Sequence, residues 1–117
     1  MGAGAGASLG KILGPGRAMK SGLGSAAVSL GGGLVVGAVV AVNPFGDVVH
    51  PATGEILAGA RKLRSDALAD TLATMRSFVG KKALQFASNT VIGVAATNGK
   101  LTKEEANKVA QMAQDGV

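Results

Sequence analysis

A nine-residue apolar run constrains the fold of this chain more than any other feature. Residues 34–42 are preceded by the triple glycine Gly31-Gly32-Gly33 and followed by Asn43-Pro44. The run is too short to cross a membrane as a helix, which needs about 20 apolar residues. Residues 25–30 alternate loosely between small polar and apolar side chains before the glycines. The pattern predicts a β-hairpin with a buried second strand.

A further strand, outside the hairpin, is predicted to begin near residue 90. Thr90 opens a β-branched run that includes Val91, Ile92 and Val94, and such runs favour strands that are covered on both faces of a sheet. A threonine at this position can simply begin the strand. It can also act as a nucleophile if the Asn89–Thr90 bond is cut, because a free α-amine with a pKa of about 7.7 to 8 can deprotonate the hydroxyl of the same residue.

Two helices are predicted, and with the strands they define an α+β chain. The first spans about residues 66–79, with Asp66 in its first turn, Gly80 at its end, and an apolar stripe formed by Leu68, Leu72, Met75 and Val79. The second spans about residues 103–115 behind a capping box formed by Thr102 and Glu105. Residues 80–89 are expected to form a polar, cleavable approach to Thr90.

A short hairpin is predicted over residues 47–58, with a turn at residues 51–54. Asp47 and Glu55 are then expected to be surface acids beside the turn rather than a catalytic pair, and His50 a turn or strand-end residue beside Pro51. A lone histidine and the absence of cysteine provide no set of converging ligands. We therefore expect neither a metal nor a cofactor.

Charge and targeting signals exclude several function classes. The net charge is +5, but the basic residues are scattered and are not interleaved with aromatic side chains, so nucleic-acid binding is not expected. A phosphate-binding loop is excluded because Ala5 and Ile12 stand where that motif needs glycine and Ser or Thr. No signal peptide or membrane segment is recognised, and a cytoplasmic location is expected.

Four segments together resemble a known family of self-cleaving hydrolases. They are residues 4–11 (GAGASLGK), residues 33–48 (GLVVGAVVAVNPFGDV), residues 51–61 (PATGEILAGAR), and the stretch from Asn89-Thr90 to residue 113. In this order they resemble the N-terminal nucleophile hydrolases that include the DmpA-type aminopeptidases and the nylon-oligomer (6-aminohexanoate oligomer) endo-hydrolases. Most of the chain is covered, and the second and fourth segments are specific.

The resemblance implies a fold and an organisation. Residues 1–117 would form a partial single domain, a fragment of a layered αββα sandwich of the DmpA and ornithine-acetyltransferase type. Residues 1–89 would be the C-terminal part of a large subunit, and residues 90–117 the start of a small subunit. Family members are several hundred residues long. The implied partners are therefore the remainder of the same enzyme and further copies in a homo-oligomer, and the fragment alone is expected to be inactive.

The resemblance also implies the site residues. Asn89–Thr90 would be the autocleavage bond and Thr90 the nucleophile. The side-chain NH2 of Asn43 would stabilise the oxyanion, and Lys11 would polarise a carbonyl or lower the pKa of a neighbouring amine. The implied substrate is a small peptide or another amide, and threonine together with Lys11 favours the nylon-oligomer branch.

Other functions remain open on the sequence alone. Glycine-rich strands specify their register poorly and invite association, so a non-catalytic assembly or interaction protein is one alternative. Within the enzyme class, an aminopeptidase, an ω-amino-acid oligomer hydrolase and an acyltransferase on the related scaffold share the same pattern.

Overall fold

The computed structural model describes residues 2–76 and 89–117. Its helices and strands confirm the α+β class. The strands are β1 (Ser8–Leu9), β2 (Met19–Lys20), β3 (Leu23–Gly31), β4 (Leu34–Asn43), β5 (Val48–Val49), β6 (Ile56–Ala58) and β7 (Thr90–Thr97), and the helices are α1 (Thr71–Arg76) and α2 (Lys103–Met112). The chain forms two compact units, the first from residues 1–22 and 41–91 and the second from residues 23–40 and 92–117.

The predicted hairpin is present as β3 and β4, which are neighbours in a three-stranded sheet of order β3-β4-β7. Only Gly32 and Gly33 separate the two strands, and their φ values are 58° and 81°. Two successive positive φ angles are what a type I′ turn requires, and this turn matches the twist of the paired strands. The glycines therefore create the hairpin.

Strand β7 runs antiparallel to β4. The backbone N–H of Asn98 donates to the carbonyl of Val35 at 3.4 Å, and the Asn98 side chain accepts from the N–H of Val35 at 2.8 Å. Five residues earlier on β7, a Cβ at Gly93 would lie 3.2 Å from the Val40 side chain. The two contacts are thus five residues apart on both strands, which is an antiparallel register without a bulge.

The predicted burial of these strands is wrong for this chain. Ile92 and Val94 on β7 are 61% and 68% exposed, and Ala41 is the one buried residue of β4. Within the described ranges, no element covers the strands well enough to bury them, and α2 itself has no buried residue. The β-branched pattern therefore predicted the strand correctly but not what packs on it.

The first unit contains two short antiparallel ribbons and a small core. Strand β1 pairs with β2, with Ser8 opposite Lys20, and β5 pairs with β6. The second ribbon confirms the hairpin predicted over residues 47–58. The core is formed by Ile12, Ala60 and Ala69, which are 1%, 0% and 4% exposed.

The first predicted helix begins later than the sequence pattern indicated. Residues 60–69 form a tight hairpin instead, in which the N–H of Ala69 donates to Ala60 at 2.7 Å and Arg61 pairs with Asp66 at 2.8 Å. Helix α1 starts at Thr71, because the Oδ1 of Asp70 accepts the Ala73 N–H at 2.9 Å and caps the helix. Residues 77–79 of the predicted helix and residues 80–88 of the linker predicted over 80–89 lie outside the described residues.

Helix α2 begins where the capping box predicted. The Thr102 hydroxyl accepts from the Glu105 N–H at 3.3 Å, and the Glu105 carboxylate accepts from the Thr102 N–H at 2.8 Å. The helix ends at Met112 rather than near residue 115, and a 3₁₀ turn follows over Ala113–Gly116. Neither helix in the described ranges has the length and apolar character needed to cross a membrane.

Candidate active site

Lys11 and Asn43, 32 positions apart in the chain, meet in the first unit. The ammonium group of Lys11 donates to the Asn43 side-chain oxygen at 2.7 Å and to the Asn43 backbone oxygen at 3.2 Å. Asn43 is the last residue of β4, and Pro44 keeps it extended because proline disfavours the helical region for the residue before it. The structure thus brings together two of the three predicted site residues.

Backbone hydrogen bonds hold the two segments together. We call residues 8–11 the site loop and residues 43–46 the Asn43 turn. The N–H groups of Gly10 and Lys11 donate to Gly46 and Phe45 of the turn, each at 2.9 Å. Gly10 has a φ of 65°, and a Cβ there would collide with the backbone of Ala60. Only glycine suits this position, so the glycine pattern here reflects a close approach of backbones.

The Asn43 amide has a defined orientation. Its Oδ1 accepts from the Lys11 ammonium and, at 3.1 Å, from the backbone N–H of Ser8. Two donors on one atom require that atom to be the oxygen, because an amide NH2 group cannot accept. The NH2 group is then directed away from both donors, and no acceptor for it is found in the described part of the chain. It is a donor group available to a ligand.

Sequence reasoning missed Ser8. Its contribution is a backbone N–H, which every residue except proline has, so no side-chain signal marks the position. The only available signal was its place in the glycine-rich segment that contains Lys11.

Thr90 is the first residue of β7 and is exposed. Its hydroxyl donates to the carbonyl oxygen of Asn89 at 2.7 Å. The nucleophile candidate therefore lies at the carbonyl of the peptide bond that the sequence predicts to be cut. The oxygen is not buried beneath apolar side chains, an arrangement that would have blocked any reaction there.

None of the described hydrogen bonds joins Thr90 to Lys11 or Asn43, but the strand register relates Thr90 to Asn43. Asn98 lies across from Val35 and Gly93 across from Val40. Continued for three more residues, the same register would place Thr90 opposite Asn43. Directly opposite residues of antiparallel strands have Cα atoms about 4.5 to 5.5 Å apart. The backbone thus brings the hydroxyl and the amide to the same end of the sheet.

The acids of the first unit occupy other positions. Asp47 was expected to be a surface acid, but it is half-buried, and its two carboxylate oxygens accept from the Thr71 N–H and hydroxyl, each at 2.7 Å. Glu55 is exposed beside the turn, as expected. His50 is a turn residue whose Nδ1 accepts from the Ala52 N–H at 3.2 Å. Across residues 2–76 and 89–117, no cluster of metal-ligating side chains is found.

Comparison with known proteins identifies the family to which this chain belongs. The family model described as Peptidase family S58 matches residues 1–117, and the chain belongs to this family. This finding confirms the resemblance to the DmpA-type aminopeptidases.

The similar proteins are mycobacterial. A protein of Mycobacterium leprae described as an uncharacterized aminopeptidase is 38% identical over 121 residues, covering 100% of this chain and 30% of the relative. A protein of Mycobacterium tuberculosis with the same description is 36% identical, covering 86% of this chain and 30% of the relative. The chain thus spans about 30% of the length of these relatives.

Proposed function

We propose that the complete protein is a self-processing amide hydrolase of the aminopeptidase type, with Thr90 as its N-terminal nucleophile. One observation carries the proposal: the Thr90 hydroxyl is exposed and lies 2.7 Å from the carbonyl oxygen of Asn89. Membership of a peptidase family and the names of the relatives support peptide substrates.

Self-cleavage would begin with attack of the Thr90 oxygen on the Asn89 carbonyl carbon. The C–N bond of the peptide breaks, its nitrogen takes the hydroxyl proton, and an ester links Asn89 to the Thr90 side chain. Water then hydrolyses this ester, which leaves a carboxylate on Asn89 and a free α-amine on Thr90. The hydrogen bond between the hydroxyl and the carbonyl oxygen supports this reaction, because it holds the nucleophile beside the peptide group that it would attack.

Turnover would use the same hydroxyl with the new amine as its base. The α-amine accepts the hydroxyl proton while the oxygen attacks a substrate amide, and the resulting ammonium donates a proton to the leaving amine. Water then hydrolyses the acyl-enzyme ester. Asn43 supports this step because its NH2 group is directed away from Lys11 and Ser8 and is available to a developing oxyanion.

Lys11 would act at the same amide. Its ammonium is 2.7 Å from the Asn43 side-chain oxygen, so it orients the amide and increases the positive potential around the NH2 group. This role differs from direct contact with the substrate carbonyl, which the sequence also allowed.

The chemistry is compatible with peptides and with ω-amino-acid oligomers, because both contain the same amide bond. An acyltransferase would differ only in passing the acyl group to an amine instead of water. Because the relatives are described as aminopeptidases, we favour hydrolysis of small peptides.

Mass spectrometry of the full-length protein tests the proposal. The wild type should yield two fragments that meet between Asn89 and Thr90, and Thr90→Ala should remain one chain. Thr53→Ala removes an exposed turn hydroxyl and is the matched control, which should be cut normally. An intact wild-type chain under conditions where it is folded would refute the proposal.

An intact chain would favour an assembly protein instead. Every residue of β3 is exposed, including Leu23, Val28 and Leu30 at 55%, 55% and 62%. Such a strand can pair with another chain. This alternative predicts an uncut protein that elutes as an oligomer in size-exclusion chromatography.

A further inference from the structure

The carboxylate of Asp47 makes contacts that the proposed chemistry does not use. One oxygen accepts from the Thr71 N–H and the other from the Thr71 hydroxyl, each at 2.7 Å. Thr71 is 4% exposed, so its two donors depend on Asp47 for partners, and a buried donor without an acceptor is costly. Asp47 thus connects the segment after the Asn43 turn to the start of α1.

The space around Asp47 is closely filled. A Cβ at Gly59 would collide with the Asp47 carboxylate, so the carboxylate packs directly against the backbone after β6. Asp70 caps α1 separately through the Ala73 N–H. The contact with Asp47 is therefore not needed as the N-cap of the helix.

The Asn43 turn is held from both sides. On one side, its carbonyls at Phe45 and Gly46 accept the N–H groups of Lys11 and Gly10. On the other side, the next residue after the turn is Asp47, which is bound to Thr71. Displacement of Asp47 would therefore move the turn against the site loop, and with it the amide that Lys11 and Ser8 orient.

We propose that Asp47 is a positioning residue that places the Asn43 amide for oxyanion binding, an inference that rests on the proposed function. Oxyanion donors act at about 2.7 to 3.1 Å, and a displacement of about 1 Å can cost roughly 10²-fold in rate. Asp47 touches neither substrate nor nucleophile. Its effect passes through Asn43.

Full-length variants test the inference through kcat and KM for a peptide substrate. Asp47→Asn replaces one acceptor oxygen with an NH2 group facing Thr71. It should lower kcat by about 10- to 100-fold with little change in KM, because the loss concerns the transition state. Thr71→Val should lower kcat less, since it removes one of the two hydrogen bonds, and Thr71→Ser should restore wild-type kcat. Asp70→Ala is the matched control, which weakens α1 without contacting the Asn43 turn, and should lower Tm while kcat is unchanged.

A double-mutant cycle separates positioning from a general structural role. If Asp47 acts through Asn43, adding Asp47→Asn to Asn43→Ala should lower kcat by less than about twofold. An equal loss in both backgrounds would overturn the inference, and so would an unchanged kcat in Asp47→Asn. Where Asp47→Asn fails to fold, the same cycle is run with Thr71→Val. A wild type that neither self-cleaves nor hydrolyses peptides would refute the proposed function itself, a result distinct from either of these.

Discussion

The site loop with the Asn43 turn and the hairpin of β3 and β4 both contain glycine, but different interactions stabilise them. In the first unit, the site loop and the Asn43 turn are joined by backbone hydrogen bonds and lie beside buried Ile12 and Ala60. In the second unit, β3 is exposed along its whole length. Hydrogen bonds between neighbouring segments can thus be completed locally, whereas burying the strands of the second unit requires a covering layer that the described residues do not provide.

The chain spans about 30% of the length of the mycobacterial proteins it matches. The hydrogen bonds that join Lys11 to Asn43, and the site loop to the Asn43 turn, lie within residues 8–46. Four predictions test whether function and stability follow this division.

The largest effect is expected from Asn43. Asn43→Ala removes the proposed oxyanion donor and should lower kcat by about 10² to 10³-fold, with a small change in KM. Asn98→Ala is the control in the other region, where the side chain bonds Val35 and Gly33. It should lower Tm and leave kcat within about twofold. A comparable loss of kcat in both variants would remove the functional difference between the regions.

The next largest effect is expected at Gly10, where the site loop lies close to the backbone of Ala60. Gly10→Ala introduces a Cβ that collides with Ala60 in a left-handed conformation, and should cost about 2 to 3 kcal/mol of stability in chemical denaturation. Gly22 has open space around it and no positive φ, so Gly22→Ala should change stability by less than about 1 kcal/mol. If the two variants are equally stable, the close packing of the site loop is not a determinant of the fold.

A smaller effect is expected from the charge at Lys11. Lys11→Met keeps the aliphatic length but removes the donor to Asn43, and should lower kcat about tenfold, whereas Lys11→Arg should retain more activity because it keeps a donor. Lys108→Met on exposed α2 is the control and should have wild-type kinetics. A wild-type kcat for Lys11→Met would show that Ser8 alone orients the amide.

The smallest effect is expected at the start of α2. Thr102→Ala removes one half of the capping box and should cost about 1 kcal/mol of stability with no change in kcat. Thr102→Ser should restore the stability, because serine caps through the same oxygen. Thermal denaturation of the three proteins measures the difference, and an equal Tm for all of them would mean that α2 is held by tertiary contacts instead.

Local signals in the sequence predicted much of the fold. The triple glycine predicted the hairpin, and Thr102 with Glu105 predicted the start of α2, because each depends on residues within four positions of one another. The start of α1 was mispredicted because Asp66, expected in the first turn, lies instead in the hairpin over residues 60–69, where it pairs with Arg61. The helix begins after Asp70, which caps it, and sequence periodicity reports neither contact.

The sequence supplied candidates for the site only where a side chain could carry the chemistry. Thr90, Asn43 and Lys11 all came from residue type and family resemblance. The Ser8 N–H and the Asp47–Thr71 contact did not, because a backbone donor has no sequence signature and a contact across 24 residues depends on how the segments pack. The contact between Lys11 and Asn43 likewise depends on folding, and neither residue type predicts it.

The position of Thr90 at the first residue of β7 has a consequence for the cleaved molecule. Scission before this residue would leave the whole of β7 on the downstream piece, while its partner β4 stays on the upstream piece. The backbone hydrogen bonds between β7 and β4 would then hold the two pieces together without a covalent bond. The nicked protein should therefore migrate as a single species on a native gel and separate into two bands only in detergent.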